Sequence, residues 1–167
     1  MEEHQREAYL AYAKSKSNEM QKWARDYRAR ILKILKDKDI SLTLESIPQI
    51  IQATSFVSLS IDPKYTQHCS SCYSTNPPKP CHLGIENLNC LLCSCPNYDS
   101  SFVEIKENGS ERIFVGRCKR ESSSGKYFFS QKSPGIGVWD CSDCLGYHNP
   151  KEVESYLREH IDELQKQ

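Results

Sequence analysis

The chain is short of glycine, of long apolar runs and of net charge. Its 7 glycines in 167 residues form no glycine-rich phosphate loop, so nucleotide binding of that kind is excluded. No stretch approaches the roughly 18 apolar residues of a membrane span. The opening Met1-Glu2-Glu3-His4-Gln5-Arg6 lacks the charged-then-apolar order of a secretion signal. The expectation is a soluble, cytoplasmic protein without a membrane role. Lys and Arg number 22 against 22 Asp and Glu, so no global field draws in an acidic polymer. HExxH is missing, and His82-Leu83-Gly84 lacks the acid that a deaminase motif needs two residues after its histidine. No Ser/His/Asp order has a supporting spacing either, so a stand-alone enzyme is not expected.

What is present is cysteine. With only 38% apolar residues, the chain carries 9 cysteines and 5 histidines, and something besides burial must help hold its centre. In a reducing compartment, clustered cysteines are more often metal ligands or reactive thiols than disulfides. Three CxxC pairs occur, Cys69/Cys72, Cys90/Cys93 and Cys141/Cys144, with Cys81-His82, Cys95, Cys118 and His148 around them. A CxxC turn aims two sulfurs at one ion while its amides donate to the thiolates, so two such clamps close a tetrahedron. Cys90, Cys93, Cys141 and Cys144 are therefore expected to form one zinc site, of the zinc-ribbon kind in which strands separate two knuckles. Cys69, Cys72, Cys81 or His82, and Cys95 or His148 would complete a second. One or two zinc ions follow, with an iron–sulfur cluster as the alternative that four thiolates also permit.

Around this centre the expected fold class is α+β: a small cysteine-rich metal-binding module with a β-hairpin, flanked by a long N-terminal helix and a C-terminal helix. The segments are 1–66, 67–149 and 150–167. From Arg6 to Lys38 there is no Gly or Pro, and Met20, Trp23, Tyr27, Ile31 and Ile34 recur at helical spacing as a packing face. Ser46-Ile47-Pro48-Gln49 has the form of a capping box opening a short helix to about Thr54. Phe56 to Ile61 alternates, which suits a strand or an extended lead into the cysteines. Two β-prone runs between Phe102 and Gly116 flank Asn108-Gly109, a tight-turn dipeptide, and Lys126 to Gln131 adds a third strand. Asn149 and Pro150 start the last helix, whose apolar face is Val153, Tyr156, Leu157, Ile161 and Leu164.

The motifs Pro80-Cys81-His82, then Asn89-Cys90-Leu91-Leu92-Cys93-Ser94-Cys95-Pro96-Asn97-Tyr98, then Asp140-Cys141-Ser142-Asp143-Cys144 and His148 resemble those of the bacterial and archaeal cysteine-rich small domain family, a metal-binding module. The likeness covers about half of the chain. It implies metal binding at Cys81, Cys90, Cys93, Cys95, Cys141, Cys144 and His148, and little about activity. The stretch between Cys95 and Cys141 is longer than in compact members, and the N-terminal helix lies outside the likeness.

The charge, though balanced, is uneven. Between Lys14 and Lys38 nine Lys or Arg stand against three acids, and between Arg112 and Lys132 six stand against one. A protein partner or RNA would meet the basic helix 14–38 or the basic segment 112–132. In the second segment, Arg112, Arg117, Lys119, Arg120 and Lys126 could hold phosphates while Phe114, Tyr127 or Phe128 stacks on bases. Cys118, inside Gly116-Arg117-Cys118-Lys119-Arg120, is a candidate catalytic thiol. Adjacent cations favour its thiolate, as a sulfur relay assisting tRNA thiolation would need, the plainer reading being a small buried hydrophobe.

Overall fold

A computed structural model describes residues 3–62, 64–65, 75, 77–82, 84–107, 111–120 and 124–166. The class is α+β, with a long N-terminal helix, a four-stranded mixed sheet and a C-terminal helix. Helix α1 runs from Glu3 to Asp37, unbroken as its lack of Gly and Pro requires. Then come α2 (Ile47–Ala53), α3 (Phe56–Ser60), β1 (Tyr98–Glu107), β2 (Glu111–Cys118), β3 (Lys126–Phe129), β4 (Ile136–Asp140), a 3-10 turn at Gly146–His148 and α4 (Pro150–Leu164). No helix among the described residues is long and apolar enough to cross a membrane.

The chain forms two compact units, each built from two separated stretches: residues 1–25 with 96–144, and residues 26–95 with 145–167. In the first, the strands lie in the order β1-β2-β4-β3. β1 and β2 are antiparallel, as expected of a hairpin, and so are β3 and β4. The Asn108-Gly109 turn lies outside the described residues. β2 and β4 run parallel, with Ile113 beside Ile136 and Val115 beside Val138. What separates the Cys90 and Cys141 pairs is thus four strands rather than a hairpin alone. Ile113, Val115 and Ile136 pack with Ala13 of α1 in one apolar cluster bordered by Tyr9, Leu10, Met20, Val103 and Ile105. Ser17 of the same helix donates to the carbonyl of Ser100 at 2.5 Å.

Alternation along β2 turns Phe114 to the opposite face. There its ring meets Tyr127 and Phe129 edge-on at centroid distances of 4.7 and 5.8 Å, and Tyr127 meets Trp139 at 5.0 Å. Glycine makes room for this ring layer. A Cβ on Gly137 would lie 2.6 Å from the Phe129 ring, and one on Gly125 would run into the Trp139 indole. Gly137→Ala must therefore turn Phe129 away from Phe114, and the expected cost is about 1–2 kcal/mol. A lowered thermal midpoint with a changed near-ultraviolet aromatic signal checks it; an unchanged midpoint contradicts it.

The second unit has the larger core. Tyr27, Ile31, Ile34 and Leu35 of α1 meet Ile47 and Ile50 of α2, Leu59 of α3 and Val153, Leu157 and Ile161 of α4. The helical stripe expected from the sequence is thus the buried one in both Tyr27–Leu35 and α4. Trp23 is an exception: expected to pack, it is 49% exposed. Asn149 caps α4 as expected, accepting from the Lys151 amide at 3.0 Å.

Two local expectations fail. Ser46 stands at the start of α2 but makes no capping bond; its hydroxyl lies 3.0 Å from that of Thr43 instead. Phe56 to Ile61 is not extended. Ser55 accepts from the amide of Ser58 at 3.1 Å and caps the short helix α3, burying Leu59. A serine cap and one buried leucine outweigh a weak alternation over six residues.

Candidate metal centre

The Cys90–Cys93 pair belongs to the second unit, and its two intervening residues, Leu91 and Leu92, are both in the core. The strand-like piece before it is pinned from both sides. Phe56 N–H donates to Leu88 O at 2.7 Å, Cys90 N–H to Thr54 O at 2.9 Å, and Asn89 N–H to His148 O at 2.9 Å. Asn89 is wholly buried, and its side chain is spent on the same junction. Its Nδ2 donates to Ile51 O at 2.8 Å, while its Oδ1 accepts from the Leu91 amide at 2.8 Å. The Thr54 hydroxyl shares its proton between Ile50 O at 2.7 Å and Asn89 Oδ1 at 3.2 Å. Tyr27 donates to Cys90 O at 2.7 Å, and the turn closes with Cys93 N–H on the same carbonyl at 3.3 Å. Cys90 is buried, and Cys93 and Cys95 are partly buried.

His148 lies beside this turn. Its Nδ1 is 3.2 Å from Asn89 O, and because a carbonyl can only accept, the ring donates through Nδ1, which in the neutral imidazole leaves Nε2 as the ligating nitrogen. That tautomer is the one in which an imidazole ligates a metal through Nε2. The His82 ring stands 4.3 Å from that of His148, and its neighbour Cys81 is exposed. Ser94, between Cys93 and Cys95, has a buried hydroxyl oxygen with no hydrogen-bond partner among the described residues. An orphaned donor between two thiols fits thiolates, which accept such bonds when they hold a metal.

The Cys141–Cys144 pair falls in the first unit, where β4 ends. Ser142 N–H donates to Asp140 Oδ1 at 2.9 Å, and Cys144 N–H closes the turn on Cys141 O, also at 2.9 Å. That bond from Ser142 holds the Asp140 carboxyl below the usual carboxylate range. Tyr98, beside Cys141, has its hydroxyl pushed well up, chiefly by burial.

The four-cysteine set expected from the sequence thus draws two residues from each unit. Cys81, His82, Cys95 and His148 accompany Cys90 and Cys93 in the second unit. Cys69 and Cys72 lie outside the described residues. Among the described residues, no three Cys, His, Asp or Glu side chains already gather closely enough to hold an ion. Cys118 ends β2, paired with Tyr98. Its neighbour Arg117 is committed to Asp99 at 3.1 Å and lies 4.4 Å over the Phe102 ring.

Sequence reasoning missed Asn89 and Thr54, which carry the hydrogen-bond junction. The one visible signal was an amide set in an otherwise apolar run, Leu88-Asn89-Cys90-Leu91-Leu92. Comparison with known proteins finds no family model, no curated protein and no solved structure that matches the chain.

Proposed function

We propose that this chain is a metal-binding accessory protein of the reducing cytoplasm, built to hold zinc as a structural element and not to act as a stand-alone enzyme. The observation that carries the reading is the pinned Asn89–Cys93 turn with the His148 imidazole fixed beside it through Asn89 O. Cys90 and Cys93 are its first two donors. Cys81 or His82 and Cys95 or His148 supply the remainder, and Cys141 and Cys144 form a second thiol clamp of the same kind. Zinc would supply no chemistry beyond cross-linking what it binds, since thiolate and imidazole donors close its coordination shell. The likeness to the cysteine-rich small domain family supports the same reading through the same residues. The partner surface of this accessory protein is the cation-bearing side of α1, from Lys14 to Lys38, which a protein with an acidic face would meet.

Elemental analysis of protein purified without oxygen tests it. The expected result is at least one zinc per chain, lost in Cys90→Ser/Cys93→Ser and retained in Cys118→Ser. Colourless protein without any metal overturns the reading. Brown protein with iron and sulfide replaces zinc by an iron–sulfur cluster.

A further inference from the structure

The outer face of the sheet is not used by the metal reading. One face of β2 and β4 packs on α1 through Ile113, Val115 and Ile136. The other carries a continuous layer of rings, Phe114, Tyr127, Phe129 and Trp139. None of these rings is fully buried. Three cations lie over the rings of this sheet: Lys106 5.5 Å above Phe114, Arg112 5.0 Å above Phe129 and Arg117 4.4 Å above Phe102. All three are exposed. Lys106 and Arg117 also meet Glu104 and Asp99, each at 3.1 Å. Arg112 meets no carboxylate among the described residues.

The groups that lie over these rings bear on what the face can bind. Here guanidinium and ammonium groups cap it, and they are the groups that pair with phosphate. Rings separated by strand spacing, with cations at their margins, match the needs of a single strand of nucleic acid: flat surfaces for successive bases and positive charge along the backbone. The surrounding segment from Arg112 to Lys132 adds the excess of six cations over one acid. Phe128 is not part of this surface, because it pairs with Val138 while Phe129 pairs with Gly137, and alternation sends it to the other face.

We propose that this face binds a single-stranded polynucleotide, with Phe114, Phe129 and Trp139 as stacking surfaces and Arg112, Lys106 and Arg117 as phosphate contacts. It is a second function, independent of which metal the cysteines hold.

The test titrates the full metal-loaded chain into a fluorescein-labelled 12-nucleotide oligo(U). A Trp23→Phe background makes Trp139 the sole tryptophan reporter. Saturable binding is expected, with Trp139 emission quenched and affinity falling about tenfold or more between 50 and 200 mM salt. Arg112→Glu should weaken it about tenfold or more without altering the circular-dichroism spectrum or thermal midpoint, and Lys106→Ala should weaken it several-fold. Absent binding, an Arg112→Glu affinity equal to the parent's, or unquenched Trp139 overturns the proposal. So does equal binding of a duplex of the same length or of poly-glutamate, because either would show a merely electrostatic surface.

Discussion

If the cysteines hold zinc as proposed, its removal should lower the stability of the chain by about 4 kcal/mol when free zinc stands a thousandfold above its dissociation constant, since a ligand that binds only the folded state contributes RT ln(1 + [L]/Kd). Cys90→Ser/Cys93→Ser should reproduce that loss and add to it. Cys90 is 2% exposed, and taking a serine hydroxyl out of water there in place of a thiol adds a cost on the order of 1 kcal/mol. The unit carrying this turn also has an apolar cluster drawn largely from four helices and the turn itself, sixteen buried residues among those described. Metal loss should therefore weaken the unit without abolishing its helices, unlike a peptide whose fold is all zinc. Urea unfolding followed at 222 nm, with zinc and with chelator, separates the two contributions. The parent protein should fall on chelation while the double variant stays where it is. Equal midpoints for the parent in zinc and in chelator would mean that the cysteines hold no structural ion.

The parts of this fold that the sequence disclosed are those governed by local periodicity. The Tyr27, Ile31 and Ile34 spacing and the Val153, Leu157 and Ile161 spacing both describe buried helical faces, and the Asn149-Pro150 cap lies where its chemistry demands. The β1–β2 pairing is likewise local. β4 was not legible. Ile136–Asp140 is five residues long, contains Gly137, and gains its place by lying between β3 and the parallel strand β2. The α3 error has the complementary origin, because a five-residue helix under a serine cap has too few residues to display a period. Trp23 failed for another reason: helical spacing identifies a face but not where along a 35-residue helix that face ceases to be covered.

At the candidate centre, the cysteine spacing was visible and the scaffold beneath it was not. CxxC turns announce themselves, whereas the hydrogen bonds that hold the Asn89–Cys90 step come from Thr54, Tyr27 and His148, residues up to 63 positions away. No sequence window contains that information. The division of the two clamps between units is equally non-local, because residues 1–25 associate with 96–144 and not with their neighbours in sequence.

Asn89→Ala should cost as much stability as truncating a buried core side chain, about 4 kcal/mol. It removes the acceptor of the buried Leu91 amide and the donor to the part-buried Ile51 O, two backbone groups beside a side chain that is itself wholly buried. Each such group costs about 1–3 kcal/mol, and the cavity left by the amide adds to that. Thr54→Val provides the scale. It deletes one hydroxyl whose closest partner is Ile50 O at 2.7 Å, a carbonyl with a helical partner in the Thr54 amide at 3.0 Å, so about 1 kcal/mol is expected. Under the metal reading, Asn89→Ala also frees the Cys90 turn, although the backbone carbonyl that meets the His148 ring is kept, and zinc affinity should fall by roughly tenfold. Thr54→Val should leave that affinity within a few-fold of the parent. Competition with a chromophoric zinc chelator at a temperature where both variants remain folded distinguishes the two effects. If Asn89→Ala lost stability yet bound zinc as tightly as the parent, the junction would serve the core alone, and the ion would have to be held by donors that Asn89 does not position.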